Sequence, residues 1–174
     1  MGAVLIIDLR RLAKAPVEVR GAIASDDPFW QGTGVELAAP LRAQATAEGS
    51  VTRGIWVRGT LAGRVRTRCR RCLKPLELEL NEEFNVLFDP TTSELESDVG
   101  LYSLDPRAEE LDLDPPVREA FLLAVPGFPV CREACVGLCA RCGANLNEGD
   151  CSCEMAETDA RWAPLQNLRS KIRG

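Results

Sequence analysis

Eight cysteines hold the chemistry open to this chain. They occur as Cys69-Arg70-Arg71-Cys72, as Cys131 and Cys135, as Cys139-Ala140-Arg141-Cys142, and as Cys151-Ser152-Cys153. Two thiolates three positions apart on a tight turn form a metal-binding half-site, because the turn's amides point at the sulfurs. Gly143, just after the second such turn, reads as permitting close approach of the chain. Cys139, Cys142, Cys151 and Cys153, in C-x2-C-x8-C-x-C spacing, can close a tetrahedral zinc site. Cys69, Cys72, Cys131 and Cys135 are then left for a second four-thiolate zinc site, clamping sheet and helix together. A rival grouping puts Cys131, Cys135, Cys139 and Cys142 on one metal and strands the outer pairs. The same eight residues also allow four disulfides, which need an oxidising compartment, or a redox pair at Cys69 and Cys72. Either zinc site would be closed by four protein ligands, and closed sites are structural rather than catalytic.

The chain of 174 residues contains no histidine. That removes Ser-His-Asp and Cys-His nucleophiles, histidine metalloprotease helices and Cys2His2 fingers. Gly-rich phosphate loops and the G-x-S-x-G elbow are absent as well, and no enzymatic activity is expected. The longest uncharged stretch, Ala120 to Cys131, has 12 residues and two prolines, short of the ~20 a membrane helix needs. No signal is read at the N-terminus, so a cytoplasmic protein with reduced thiols is expected.

Positioning the cysteines falls to strands. Val35, Leu37, Ala39 and Leu41 alternate with mostly polar neighbours, as do Ile55, Val57, Gly59 and Leu61, and Val65, Thr67 and Cys69 continue the period of two. Leu76, Leu78 and Leu80, then Phe84, Val86 and Phe88, predict further strands. Residues 3–24 read as extended segments separated near Lys14-Ala15-Pro16. Residues 89–114 read as an acidic surface excursion with a short strand at most. A helix is expected next, with Asp114 as its cap, Pro115 in its first turn, and Val117, Ala120, Phe121 and Ala124 as its apolar stripe. A last helix is expected near Pro164, with Trp162 packed beside it. Trp30, Trp56 and Trp162 read as core or groove packing. The fold class is therefore α+β: mainly an antiparallel β meander or partly open barrel, built of several short strands, with two short helices and a C-terminal zinc-knuckle segment. Residues 1–130 form the β-rich core and residues 131–174 the cysteine-rich segment.

A net charge of −5 hides two opposite fields. Between Arg53 and Lys74 stand eight basic residues and no acid, whereas residues 82–119 hold twelve acids against Arg107 and Arg118. Alternation places Arg64, Arg66 and Arg68 on one sheet face. Arg58, Arg64, Arg66, Arg68, Arg70, Arg71 and Lys74 are thus candidate contacts for RNA phosphates, since arginine's planar fork takes phosphate oxygens two at a time. The bland reading pairs this row with the protein's own 82–119 segment, which would mask it until RNA competes. Arg70, Arg71, Arg132 and Arg141 would also offset the charge of zinc thiolates.

The order Thr67-Arg68-Cys69-Arg70-Arg71-Cys72-Leu73, Arg118-Glu119-Ala120-Phe121-Leu122-Leu123-Ala124, Pro129-Val130-Cys131, Cys135 through Asn147, and Asp159-Ala160-Arg161-Trp162 resembles the YceD family, called large ribosomal RNA subunit accumulation proteins. Ala160 departs from the family's Asp-Pro-Arg-Trp, and Ala124-Val125-Pro126 from its usual Ala-Leu-Pro; neither touches a cysteine. The resemblance implies a cytoplasmic bacterial factor for synthesis, processing or stability of 23S rRNA, with no established enzymatic activity. Its implied partners are 23S rRNA or its precursor and large-subunit ribosomal proteins or assembly intermediates, with no membrane. Shorter members lack the last four cysteines, which makes the C-terminal knuckle an accessory. A docking module for a ribosomal protein or nuclease, without RNA contact, is the alternative.

Overall fold

Three strands of 15 residues each, β3 (Glu36–Ser50), β4 (Gly54–Arg68) and β5 (Pro75–Asp89), dominate the computed structural model, which describes residues 5–92 and 100–153. Before them come β1 (Ile6–Asp8), α1 (Leu9–Leu12) and β2 (Val17–Ile23). After them come β6 (Leu101–Ser103), β7 (Glu110–Asp112) and α2 (Asp114–Ala124). The large sheet runs β2-β3-β4-β5-β6, with β1 and β7 pairing separately. Strands β2 to β5 form an antiparallel meander and β6 joins β5 in parallel, so the sheet stays open rather than closing into a barrel.

The expected short strands are in fact long and continuous. Ala43, Ala45 and Ala47 carry little apolar signal, yet all three are buried and extend β3 to its hairpin. Pro40, which has no N–H to give a ladder, sits where the β3–β4 register shifts between Ala39 and Arg42. Between Lys14 and the start of the chain the expectation also needs correction. Residues 9–12 are helical, with the Asp8 carboxylate accepting from Arg10 N at 2.8 Å. The acidic excursion holds two short strands rather than one, because β6 and β7 each find a partner edge.

One sheet face is buried. Leu37, Ala43, Ala45 and Ala47 of β3, Ile55, Val57, Leu61 and Val65 of β4, and Phe84, Val86 and Phe88 of β5 pack beneath α2 and the N-terminal segment. Helix α2 sends Val117 and Phe121, both 0% exposed, into this layer, where Phe121 meets Trp30 edge-on at 5.2 Å. Burying a side chain of this size contributes about 1.5–3 kcal/mol. Asp114 is not the helix cap: Leu113 holds that position without a side-chain bond, and the Asp114 carboxylate accepts instead from Leu5 N at 3.2 Å. Gly59 lies opposite Phe84, and a Cβ there would stand 2.4 Å from the Phe84 ring and 2.5 Å from the Gln44 carbonyl. Trp30 is core, as expected, but Trp56 is 53% exposed on the open face. Trp162 and the helix expected near Pro164 lie outside the described residues.

Candidate metal centres

The alternation that builds β4 runs directly into the first ligand pair. Arg68 pairs with Pro75, so residues 69–74 are the tip of the β4–β5 hairpin. There Cys69 N donates to the Lys74 carbonyl at 2.9 Å, Leu73 N donates to the Cys69 carbonyl at 2.9 Å, and Arg71 N points at Cys69 Sγ from 3.4 Å. The second turn repeats each bond. Cys139 N donates to the Ala144 carbonyl at 2.8 Å, Gly143 N to the Cys139 carbonyl at 2.9 Å, and Arg141 N to Cys139 Sγ at 3.4 Å. The two turns differ at their fifth residue, which must be left-handed. Gly143 takes φ +73° without cost, whereas Leu73 takes φ +60°, the one positive φ of a non-glycine among the described residues. A Cβ on Gly143 would meet nothing within 4 Å, so close approach, as expected from the sequence, is not its use.

These turns assemble two groups of four sulfurs. Cys69, Cys72, Cys131 and Cys135 form one, Cys139, Cys142, Cys151 and Cys153 the other, and within each the sulfurs lie within 4.8 Å of one another. The rival grouping of Cys131 and Cys135 with Cys139 and Cys142 is not the one that the fold makes. In the first centre Cys69 Sγ is 3.8 Å from Cys135 Sγ, and Cys72 Sγ is 3.7 Å from Cys131 Sγ. Sulfurs placed ~2.3 Å from a central zinc at tetrahedral corners are about 3.8 Å apart, whereas a disulfide needs ~2.05 Å. The donor set and its spacing therefore fit a metal ion held by four thiolates. All eight cysteines are unbridged.

Charge within each centre is uneven. Burial raises the Cys69 thiol, but backbone donors at Cys72, Cys131 and Arg71 outweigh it and hold it at about 6. The amides of Cys142 and Arg141 draw Cys139 down to about 6. Burial, then the neighbouring Cys135, Cys72 and Cys69 sulfurs, push Cys131 up to about 12. A hydrogen bond with the Cys142 sulfur, followed by burial, does the same to Cys153. In each centre the thiol drawn down is the one that receives the turn's amides.

The first centre joins three loops. Arg71 Nη1 donates to the carbonyls of Glu133 and Cys135 at 3.0 and 2.9 Å, and Leu138 N donates to the Arg71 carbonyl at 3.2 Å. Arg70 Nε donates to the Gly127 carbonyl at 3.1 Å. Both arginines, expected as RNA contacts, fasten the chain around the first group of cysteines. Asn147, which the sequence reading missed, links the two centres. From the loop between Cys142 and Cys151, its Nδ2 donates to Cys135 Sγ at 3.5 Å, while its Oδ1 accepts from Val136 N and Arg132 Nη2, both at 3.0 Å.

Arg58, Arg64, Arg66 and Arg68 do share the open face of β4, all exposed. Their ion pairs run not to the 82–119 segment but to nearer acids. Arg58 pairs with Glu48 at 2.6 Å, Arg66 with Glu77 at 3.5 Å, and Arg64 with Glu77 and Glu79. The sequence carried a usable signal, since a hairpin turning through residues 69–74 sets Arg66 opposite Glu77 and Arg64 opposite Glu79. Such exposed pairs contribute little stability, about 0–1 kcal/mol each.

An open sheet whose longest hairpin ends in a four-thiolate clasp, with a second clasp stacked against it, is a cysteine-clasped β scaffold. The family model described as "Large ribosomal RNA subunit accumulation protein YceD" matches residues 57–169, which include all eight cysteines, and the chain belongs to that family. It is 36% identical over 124 residues to an uncharacterized protein of Mycobacterium tuberculosis, covering 68% of this chain and 58% of that protein. It is 30% identical over 151 residues to one of Mycobacterium leprae, covering 82% and 67% of the two chains. The large ribosomal RNA subunit accumulation protein YCED homolog 1, chloroplastic, of Arabidopsis thaliana is 37% identical over 67 residues, 38% of this chain and 21% of that protein. The chain thus spans little more than half the length of the Mycobacterium tuberculosis relative. No solved structure matches it. No helix among the described residues is long and apolar enough to cross a membrane.

Proposed function

We propose that this protein is a non-enzymatic, cytoplasmic ribosome-biogenesis factor that supports synthesis, processing or stability of 23S rRNA. The observation that carries the reading is the family match, which spans most of β4, the hairpin tip and both cysteine centres. Two zinc ions, held by Cys69, Cys72, Cys131 and Cys135 and by Cys139, Cys142, Cys151 and Cys153, fasten the loops to the sheet. Four protein ligands leave each ion closed, so its part is structural. Phosphates of rRNA meet the cations of β4 and of the hairpin tip, Arg58, Arg64, Arg66, Arg68, Arg70, Arg71 and Lys74. Large-subunit ribosomal proteins or assembly intermediates are the neighbouring partners.

UV crosslinking in the native host, with sequencing of the recovered RNA, tests the reading. Crosslinks clustered in 23S rRNA or its precursor, lost when Arg64, Arg66, Arg68, Arg70 and Arg71 are replaced, support it. Recovery of no RNA above background overturns it in favour of docking to a ribosomal protein or nuclease. That second reading draws on the pairing of Arg58, Arg64 and Arg66 with internal glutamates. Salt separates the two, because phosphate contacts weaken steeply with salt and an apolar docking surface does not.

A further inference from the structure

Positive charge is not spread evenly along β4. Arg58, Arg64 and Arg66 are engaged by Glu48, Glu77 and Glu79. At the hairpin tip the side chains of Arg68 and Lys74 make no ion pair or hydrogen bond among the described residues, and the Arg70 guanidinium gives one N–H, to the Gly127 carbonyl. The cations without a carboxylate partner among the described residues therefore gather where the hairpin meets the first cysteine group.

An aromatic ring stands at the same place. Phe128 is 86% exposed, and the Arg70 guanidinium lies 5.9 Å from its ring centroid. Its backbone is fixed on both sides: Arg70 holds the Gly127 carbonyl, Arg70 N donates to the Pro129 carbonyl at 2.8 Å, and Cys131 follows as a metal ligand. Leu73, Val130 and Val136, each next to a ligand of that centre, are exposed as well. Within 69–76 and 126–138 the only acid is Glu133, against Arg70, Arg71, Lys74 and Arg132. A stable protein interface enriches arginine and aromatic rings but depletes lysine at its core, and Lys74 belongs to this patch. A backbone-pinned ring with cations beside it suits instead an unpaired base flanked by phosphates, as single-stranded nucleic acid presents them.

We propose that the hairpin tip takes single-stranded RNA, with Phe128 stacking on one base while Arg68, Arg70 and Lys74 contact the flanking phosphates. The inference rests on the rRNA-contact reading above and locates that contact at the tip rather than along the whole arginine row.

The test uses the full zinc-loaded chain with a single-stranded RNA oligomer carrying 2-aminopurine, and with the duplex of the same sequence. Phe128→Leu should weaken single-strand binding about 5- to 100-fold and remove the fluorescence quench, while Phe128→Tyr restores both. Duplex binding should stay unchanged, and equal zinc content shows that the variants fold. If Phe128→Leu binds and quenches like the parent while Arg68→Gln and Lys74→Gln weaken binding, the platform is wrong and the rRNA reading stands. If the parent binds no RNA, both fall. Loss of ribosomal-protein capture by Phe128→Leu with RNA binding intact also overturns the proposal.

Discussion

Asn147 Nδ2 donates to Cys135 Sγ at 3.5 Å, so a residue carried between two cysteines of the second group reaches a cysteine of the first. Hydrogen bonds to a metal ligand fix its orientation, and losing them costs about 10- to 100-fold in metal affinity. Asn147→Ala should therefore speed zinc loss from Cys69, Cys72, Cys131 and Cys135 although none of them is altered. Release into a chromogenic chelator, monitored with the second centre intact, measures it.

Burial separates the centres. Cys69, Cys72 and Cys135 are buried, whereas Cys142 is exposed and its three partner cysteines are half-buried. The protein should bind two zinc ions and surrender them to a chelator in two phases, the faster from the second centre. Cys142→Ser should remove the fast phase and spare the sheet, while Cys69→Ser should unfold the hairpin tip and lower the melting temperature. A single phase with one zinc per chain would refute this.

Proton release follows from the thiol shifts. Cys69 and Cys139, lowered to about 6, are thiolates at pH 7, whereas Cys131 and Cys153 sit at about 12 and Cys72 and Cys151 are also raised. Zinc uptake at neutral pH should then release at least two protons per centre, from Cys72 and Cys131 in the first and from Cys151 and Cys153 in the second. Calorimetry in buffers of different ionisation enthalpy counts them. A group with a depressed pKa stabilises the folded state above its unfolded value and loses that contribution as pH falls. Lowering the pH through about 6 protonates Cys69 and Cys139 too, and zinc affinity should drop most steeply there.

Leu73 tests the backbone. A left-handed non-glycine costs about 1–2 kcal/mol, part of which glycine returns as unfolded-state entropy. Leu73→Gly should stabilise the zinc-loaded protein by about 0.5–1 kcal/mol, and Gly143→Ala should destabilise the equivalent turn. Thermal unfolding of both variants reads the difference.

Gly59→Ala should cost about 1–3 kcal/mol in denaturant unfolding, because the added carbon meets the Phe84 ring and the Gln44 backbone together. Gly59→Ala combined with Phe84→Leu should recover part of the loss.

The sheet was legible where burial is one-sided. Val57, Leu61 and Val65 alternate with Arg58, Thr60, Arg64 and Arg66 because one face meets the core and the other water. Strand β3 was less legible, since Ala43, Ala45 and Ala47 mark a place of close packing and not a strong hydropathy signal. Helix α1 has four residues, too few to show a period, and owes its existence to the Asp8 cap and to burial of Leu9 and Leu12. Of the candidate site, all eight cysteines that the fold gathers into two groups of four were readable from type and spacing. The leading partition was readable too, but setting the rival aside needed the tertiary fold, which brings Cys72 Sγ within 3.7 Å of Cys131 Sγ across 59 positions. Asn147 was hidden for the same reason: its acceptor sulfur is 12 positions away on another loop.

Strand β5 has one further consequence, for solubility. Its outer edge is covered by β6 only from Leu87 to Asp89. Among the described residues no strand pairs with the rest of that edge, which would otherwise template the backbone of a second molecule. Glu77, Glu79, Glu82 and Glu83 stand along it, and like charges brought edge to edge repel. Glu77 and Glu79, which neutralise Arg64 and Arg66 inside one molecule, thus also work against neighbouring molecules zipping their sheets together.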